Sequence, residues 1–268
     1  MNEKSSLGGS KRYSVADEVS IKAAREGDDW GVFDEDWGFK IWDIPKEFRT
    51  EKKFENFNLA KKEEKESKLV VESMPYQIDI EPTNVCNLHC PLCSTGTDES
   101  TRQKGILKLE NFKKLIDQIK DFVLQISLQN WGESTMVKDF PKMVKYATDA
   151  GIFSRVSTNF SVKYTNDYLK ELLESGLGRI IIDVDGTTQE VYEKSRVGGD
   201  LKLVLENTKN LIKMKKEMKL KYPIIQARMI VNKFNEHQLD DFKNLSKELE
   251  VDEIEVGNIQ LNPNTSAE

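Results

Sequence analysis

The sequence predicts an α/β fold, a partial barrel built from six βα units behind an N-terminal extension. Strand-like and helix-like patterns alternate along most of the chain, which is typical of a parallel sheet. Most of the strand-like segments carry polar residues on one face, and 268 residues are enough for one domain of barrel size. A parallel sheet covered by helices on both faces would be apolar on both, so we expect a curved sheet around a polar lumen. Six units are fewer than the eight of a closed barrel, so one side should be open.

Residues 1–75 precede this alternation and are predicted to form a separate extension, whereas residues 76–268 are predicted to form the barrel core. Three of the four tryptophans of the chain lie in the extension, at Trp30, Trp37 and Trp42. The extension ends near a run of charged residues at 61–68, which is typical of a solvated helix or linker. We expect an arm whose aromatic residues anchor it on the barrel, and a lid or substrate-docking segment is the alternative.

Six strands are predicted from short runs of apolar and β-branched residues bounded by turn residues. In chain order they lie at residues 76–82, 124–132, 155–162, 179–186, 224–232 and 253–261. Five helices are predicted from apolar residues spaced three or four positions apart. They lie near residues 109–119, 140–147, 169–173, 201–212 and 236–249, and Gly151 and Gly176 are predicted to end the second and the third of them.

Polar residues recur at every second position in five of the strands, and they define the face that should line the lumen. They are Gln77, Asp79 and Glu81 in the first strand, Gln125, Ser127 and Gln129 in the second, Asp183 and Asp185 in the fourth, Gln226 and Arg228 in the fifth, and Glu253 and Glu255 in the sixth. Gln226, Arg228 and Glu255 are the candidates for substrate contact. A network of bonds among the polar residues themselves is the alternative.

The composition argues against several classes of function. The net charge is −6, so no general positive field suggests binding to nucleic acid or to an anionic membrane. No run of about 18 apolar residues is present, and the N-terminus lacks the apolar region of a secretory signal. We therefore expect a cytoplasmic, reducing environment, in which clustered cysteines bind metal more often than they form disulfides.

All three cysteines lie within eight residues, at Cys86, Cys90 and Cys93, in a Cys-x3-Cys-x2-Cys loop after the first predicted strand. Loops that follow the strands of a βα barrel carry its chemistry. Three thiolates can hold three corners of a [4Fe–4S] cluster, which usually has four cysteine ligands. One iron would then keep an open position for a substrate or a cofactor.

Other interpretations of the cysteine loop stay open at this point. His89 could complete a Cys3His zinc site in a non-catalytic binding module, although four ligands within eight residues are more crowded than zinc ligands usually are. Three structural thiols without metal are a second alternative, and a simple iron–sulfur electron carrier is a third. The electron carrier requires a fully ligated cluster, and the chain offers only three thiols.

Four segments together resemble the radical SAM (S-adenosylmethionine) enzymes, over roughly residues 75–262. CNLHCPLC resembles the family's cluster-binding loop, and NWGE is similar to its Gly-Gly-Glu motif, with Trp131 in place of the first glycine. STN and DVDGTTQEVYEKSR are similar to the segments on the family's third and fourth strands. The likeness is closest to the branch that often carries a C-terminal SPASM domain. In that branch the SPASM domain would begin near the position of Glu268.

The resemblance implies a [4Fe–4S] cluster on the three cysteines and SAM as the second cofactor. It implies that Gly132 and Glu133 belong to the SAM-binding loop, with Glu133 accepting a hydrogen bond from the SAM ammonium. Arg196 would pair with the SAM carboxylate, and Ser157 and Asn159 would hold ribose hydroxyls. The reduced cluster would cleave SAM to a 5′-deoxyadenosyl radical that abstracts a substrate hydrogen atom. The electron would come from a flavodoxin- or ferredoxin-type reductant, and the substrate would be a peptide, a protein side chain or a carbohydrate-like molecule.

The chain departs from the family pattern at two positions. Leu92 stands before the third cysteine, where the family often has an aromatic residue near adenine. Asp183 stands in place of a serine, and its carboxylate would repel that of SAM unless Arg196 or a proton intervenes. One cluster would use every cysteine of the chain, so we expect no auxiliary cluster on these 268 residues.

Overall fold

In the part of the chain that the structure describes, six parallel strands lie side by side in chain order, and a seventh strand pairs with one edge of the sheet. The structure is a computed structural model that describes residues 11–14 and 44–258. Its strands are β1 (Lys11–Ser14), β2 (Gln77–Asp79), β3 (Gln125–Ser127), β4 (Phe153–Thr158), β5 (Arg179–Asp183), β6 (Ile224–Val231) and β7 (Glu253–Asn258). Their order is β1-β7-β6-β5-β4-β3-β2, and every pair between β2 and β7 is parallel. Strands β2 to β7 are the six predicted strands, with ends that differ by a few residues.

Strand β1 belongs to the N-terminal extension, and the sequence did not predict it. It pairs antiparallel with β7, with Lys11 opposite Val256 and Ser14 opposite Glu253. Four residues show too little alternation to identify a strand, and β1 takes its conformation from the backbone groups along the edge of β7. The three tryptophans that were predicted to anchor the extension lie outside the described residues.

The connections between the strands contain most of the helices. In the described residues these are α1 (Glu51–Lys65), α2 (Leu109–Ile119), α3 (Phe140–Asp149), α4 (Asn166–Glu174), α5 (Gln189–Ser195), α6 (Leu201–Glu217) and α7 (Leu239–Leu249). Gly151 and Gly176 follow α3 and α4 with φ of +75° and +78°, the left-handed geometry that ends a helix. The short helix α5 was not predicted, because its seven residues show little apolar periodicity. No helix in the part of the chain that the structure describes is long and apolar enough to cross a membrane.

The two faces of the sheet differ as the alternating pattern predicts. On the outer face, aliphatic residues such as Val156, Ile180 and Ala227 pack with the helices in one hydrophobic core. On the inner face, polar residues of neighbouring strands bond to one another, as Arg179 of β5 does to Gln226 of β6 at 2.8 Å. The polar face therefore looks away from the helices and into the lumen.

Helix α1 and the residues around it cover the N-terminal ends of the strands. An apolar cluster joins Ile44 and Phe57 to Leu124 and Phe153, which lie at the starts of β3 and β4. The ring of Phe48 meets that of Phe153 edge-on, with centroids 5.7 Å apart. The residues that lead into β2 thus pack on this lower end of the barrel, opposite the end at which the parallel strands finish.

Candidate functional site

The predicted site residues lie at the carboxyl ends of the parallel strands, which we call the upper end of the barrel. These residues are Cys86, Cys90 and Cys93 in the loop after β2, Gly132 and Glu133 after β3, Ser157 and Asn159 at the end of β4, and Arg196 after α5. Parallel strands finish at the same edge of a sheet, so residues far apart in sequence come together there.

The cysteine loop is closed at its base by the side chain of Asn84. This amide accepts a hydrogen bond from the backbone nitrogen of Gly105 at 2.7 Å and donates one to the carbonyl of Gln103 at 3.0 Å. A β-bridge between Thr83 and Ile106 lies beside it. The segment that carries the cysteines therefore leaves the barrel and returns to it at one fixed point.

Within the loop, the backbone folds tightly around the thiols. The backbone nitrogen of Cys93 donates to the carbonyl of Cys90 at 3.1 Å, and that of Thr97 donates to the carbonyl of Cys93 at 2.9 Å. Gly96 packs so closely that an added Cβ would lie 2.5 Å from the backbone nitrogen and oxygen of Cys90. A side chain at this position would push the loop open, which explains the glycine.

The three thiols are free and half-buried. Burial raises the pKa of Cys86 to about 11, and burial also raises the pKa of Cys90. Thiols bind metal as thiolates, so a metal or cluster that binds here must displace their protons.

The geometry does not support a single zinc ion at this loop. Within the described residues, no group of three or more histidine, cysteine, aspartate or glutamate side chains is arranged to hold one metal ion. The side chain of His89 is exposed, and its backbone nitrogen donates to the carbonyl of Val197 at 2.9 Å. A [4Fe–4S] cluster offers a separate iron to each thiolate, so its ligands need not converge on one point. The cysteine loop therefore fits a cluster better than a single ion.

Gly132 lets the loop after β3 pack against the start of the cysteine loop. It has φ of +111°, and an added Cβ would lie 2.4 Å from the carbonyl oxygen of Thr83. The next residue, Glu133, donates from its backbone nitrogen to the carbonyl of Val85 at 2.9 Å. Both the left-handed backbone and the close approach require glycine here. The preceding Trp131, by contrast, is partly exposed.

The carboxylate of Glu133 is buried and bonded within the protein. Its Oε1 accepts from the hydroxyl and backbone nitrogen of Thr135 and from the hydroxyl of Thr158, the last at 2.7 Å. Its Oε2 accepts from the backbone nitrogen of Asn159 at 2.8 Å. Burial raises the pKa of Glu133, and these hydrogen bonds oppose the rise. A bond from the SAM ammonium, which stays a prediction, would fall on Oε2 because Oε1 already has three donors.

Ser157 lies in the lumen and bonds to residues of β5 and β6. Its Oγ accepts from Nη2 of Arg228 at 2.6 Å and donates to Oδ2 of Asp183 at 3.2 Å. Arg228 also donates from Nε to Oδ1 of Asp183 at 2.7 Å. The hydroxyl therefore already has one donor and one acceptor, and its predicted bond to a SAM ribose stays a prediction.

Arg196 is held by two buried aspartates and lies beside the thiol of Cys90. Its Nε donates to Asp185 at 2.6 Å, and its Nη2 lies 3.2 Å from Asp183. Burial opposes the charge of Arg196, but Asp185 and Asp183 outweigh burial and hold the pKa of the guanidinium well above its usual value. Arg196 thus offsets the negative charge of Asp183. That offset is required if a SAM carboxylate is to approach Asp183. Its own pairing with that carboxylate stays a prediction.

The three candidates for substrate contact take part in a network of lumen side chains. Gln226 donates from Nε2 to Oε2 of Glu255 at 2.8 Å, and Arg228 pairs with Asp183. A mutual network is the alternative that the sequence left open, and it is present. Contact of these residues with a substrate stays a prediction.

Sequence reasoning missed the residues that hold the site residues in place. Thr135 and Thr158 bond to Glu133, and Asp185 holds Arg196. Asp185 had a signal, since it falls on the polar face of its strand. Nothing in the sequence marked Thr135, which bonds to Glu133 only because a short turn brings it back.

Comparison with known proteins identifies the family. A family model described as the radical SAM superfamily matches residues 80–251, which is more than half of the chain. The chain belongs to the radical SAM superfamily. The family that the cysteine loop predicted is therefore confirmed.

Curated relatives match about two thirds of the chain. The PqqA peptide cyclase of Bradyrhizobium diazoefficiens is 30% identical over 188 residues, which are 70% of this chain and 47% of the relative. The mycofactocin maturase MftC of Mycobacterium tuberculosis is 26% identical over 172 residues, which are 64% of this chain and 42% of the relative. The chain spans about half the length of the curated relatives it matches.

A solved structure supports the fold. Streptococcus suis SuiB bound to S-adenosylmethionine superposes with a TM-score of 0.62 and 16% sequence identity, over 79% of this chain and 46% of SuiB. At this identity the likeness concerns the fold alone. Together with the six parallel strands, it confirms the predicted partial βα barrel.

Proposed function

We propose that this chain is the catalytic core of a radical SAM enzyme, with one [4Fe–4S] cluster on Cys86, Cys90 and Cys93. One observation carries the proposal. The only three thiols of a radical SAM family member stand on a tightly folded loop at the upper end of the barrel, free of disulfides. Three cysteine ligands leave one iron of a cubane without a protein thiolate, and SAM would take that position.

The residues around the loop have the properties that SAM binding requires. When bound, the cluster would supply the one electron that cleaves the C5′–S bond of SAM, releasing methionine and leaving a 5′-deoxyadenosyl radical to take a hydrogen atom from the substrate. Gly132 keeps a side chain out of the narrow gap beside the cysteine loop. Glu133 offers a carboxylate to the SAM ammonium, and Arg196 offers a guanidinium to the SAM carboxylate. Ser157 and Asn159 would face the ribose from β4.

The buried polar network supports this placement. Asp183 alone would repel a second carboxylate, but Arg196 and Arg228 both pair with it. With Asp183 paired in this way, its negative charge no longer opposes the approach of the SAM carboxylate. Buried charges that are paired and bonded keep their orientation, which favours a fixed position for a reactive cofactor.

We also propose that the substrate is a peptide or protein side chain. Support comes from the relative named PqqA peptide cyclase, which is 30% identical over 70% of this chain. The lumen side chains of Gln226, Arg228 and Glu255 would meet such a substrate. A carbohydrate-like substrate is the alternative, and a flavodoxin or ferredoxin would supply the electron.

Reconstitution tests the cofactor proposal. The chain is loaded anaerobically with iron and sulfide, and its absorbance, iron content and EPR spectrum are recorded with and without SAM. We expect broad absorption near about 400 nm, about four irons per chain, and an EPR signal that SAM perturbs. With dithionite or flavodoxin, 5′-deoxyadenosine should form. A colourless zinc protein would overturn the proposal, and a cluster indifferent to SAM would indicate an electron carrier instead.

Deuterium transfer tests the substrate class. The loaded chain is incubated with SAM, a reductant and either perdeuterated peptides or perdeuterated sugars, and the mass of the 5′-deoxyadenosine is measured. If the substrate is a peptide, the 5′-deoxyadenosine should gain deuterium from the peptide pool only. Deuterium from the sugar pool, with none from the peptides, would contradict the peptide proposal.

A further inference from the structure

Asn159 reaches from the end of β4 to the cysteine loop. Its Nδ2 lies 3.8 Å from Sγ of Cys86 and 3.0 Å from Oδ1 of Asn87. A side-chain amide has two N–H groups, so one can serve each of these acceptors. The backbone nitrogen of Leu88 lies 3.5 Å from the same sulfur. The thiol of Cys86 therefore has two N–H donors, one from its own loop and one from the barrel.

The remaining partners of Asn159 decide which way its amide faces. Its Oδ1 accepts from the backbone nitrogen of Ser161 at 2.8 Å. A backbone nitrogen can only donate, so the atom that faces Ser161 must be oxygen and the nitrogen must face Cys86. The backbone nitrogen of Asn159 is tied to Glu133, and the residue is buried. Turning the amide away from Cys86 would break the bonds to Ser161 and Asn87, so its orientation is set before any cofactor binds.

A donor in this place has a definite effect on an iron–sulfur cluster. Reduction adds a negative charge that is shared with the ligating sulfurs. An N–H group that points at such a sulfur stabilises the reduced form more than the oxidised form. Hydrogen bonds to the sulfurs are one of the means by which proteins set cluster potentials.

We propose that Asn159 is a positioning residue that holds the Cys86 thiolate and makes the cluster easier to reduce. The inference rests on the proposed function, because it needs a cluster at the cysteine loop. It differs from the ribose contact that the family resemblance implies, since it acts on the cluster in the absence of SAM.

Ser157 provides a matched control from the same strand. The resemblance gives both residues the same role at the ribose. The hydroxyl of Ser157, however, bonds to Arg228 and Asp183. A change at Ser157 should therefore leave the cluster potential as it is, whereas a change at Asn159 should not.

The test measures the midpoint potential of the cluster by EPR-monitored titration without SAM, in loaded Asn159→Ala, Asn159→Asp, Ser157→Ala and unaltered chains. Asn159→Ala removes the donor. Asn159→Asp keeps the shape of the side chain and the acceptor for Ser161, but it places a carboxylate oxygen where the donor was. We expect the midpoint potentials of both Asn159 variants to be more negative than that of the unaltered chain, with the larger shift in Asn159→Asp. Ser157→Ala should keep the potential of the unaltered chain.

The outcomes separate the two proposals. If the unaltered chain takes up no cluster, the proposed function fails. If both Asn159 variants load iron and keep the unaltered potential, this inference fails and the proposed function stands, even if SAM binds more weakly. Loss of iron from Asn159 variants that circular dichroism shows to be folded, with full iron in Ser157→Ala, would support the role of Asn159 in holding Cys86.

Discussion

The two ends of the barrel are held by different interactions, although the same strands reach both. At the lower end, Phe57 and Phe153 pack in an apolar cluster with Ile44 and Leu124. At the upper end, buried carboxylates bond to half-buried guanidinium groups, as Asp183 does to Arg196 and Arg228. Apolar packing yields free energy without requiring any one orientation. A buried polar group costs free energy unless it is bonded, so it is stable only in the right geometry.

This difference suggests a division of roles. The lower end should contribute mainly to the free energy of unfolding, and the upper end mainly to the position of reactive groups. Variants at each end therefore test whether stability and cofactor binding can be separated.

The largest expected effect is on the cluster. Cys90→Ala should reduce iron uptake to near zero, because two thiolates on an accessible loop are too few to hold a cubane. Its unfolding by urea should stay close to that of the unaltered chain, since Cys90 is only half-buried. Ser94→Ala, in the same loop, is the control and should load normally. A full complement of iron and continued SAM cleavage in Cys90→Ala would remove the loop as the site.

At the lower end, Phe57→Ala should lower the free energy of unfolding by about 3–5 kcal/mol, the usual cost of deleting a buried phenylalanine ring. Only 2% of Phe57 is exposed. Urea denaturation measures the change. Phe234→Ala removes an exposed ring and is the control, and it should lower the free energy of unfolding by less than about 0.5 kcal/mol. Phe57→Ala should still take up iron where it is folded. Loss of iron without loss of stability would contradict the division of roles.

A smaller effect is expected from Glu133→Gln. The amide keeps the shape of the side chain but replaces one carboxylate oxygen with an NH2 group. The partners of Glu133, such as Thr158 and the backbone nitrogen of Asn159, are themselves donors and cannot accept from that group. SAM binding should weaken by about 1–2 kcal/mol, the usual value of a hydrogen bond to a charged group, while the cluster stays loaded. Isothermal titration of the loaded chain measures the change. Glu110→Gln, at an exposed carboxylate on α2, is the control. Equal SAM affinity in Glu133→Gln, Glu110→Gln and the unaltered chain would remove Glu133 from the role.

The smallest effect is in the acid stability of the lower end. Glu63 accepts from the backbone nitrogens of Glu72 and Ser73 at 2.9 and 3.1 Å, and these bonds outweigh burial and lower its pKa to about 2. A pKa that is lower in the folded state means that the carboxylate stabilises the fold above its ordinary pKa. That contribution should be lost as the pH falls toward about 2. Urea unfolding at several pH values should show that the free energy of unfolding falls less on acidification in Glu63→Gln than in the unaltered chain. The exposed Glu64→Gln should behave like the unaltered chain. Parallel curves for Glu63→Gln and the unaltered chain would contradict this.

Much of the architecture could be predicted because its signals are local. The order of strands and helices, the glycines that end α3 and α4, and the polar face of the sheet all follow from the spacing of residues near one another. Strand β1 could not be predicted, since four residues adopt a strand only when an edge such as that of β7 is beside them. The packing of Phe48 and Phe57 under the barrel depends likewise on surfaces that distant segments create.

The sequence by itself determined the family, the sheet and the position of the cysteine loop, because motif spacing and periodicity are properties of the chain. Only the tertiary structure decided what each polar residue bonds to. Ser157 and Asn159 are two positions apart, yet Ser157 bonds to Asp183 and Arg228 while the amide of Asn159 faces Cys86. The physical reason is that a hydrogen bond needs a partner at a fixed distance and direction. Those partners come from neighbouring strands and loops whose placement no local pattern encodes.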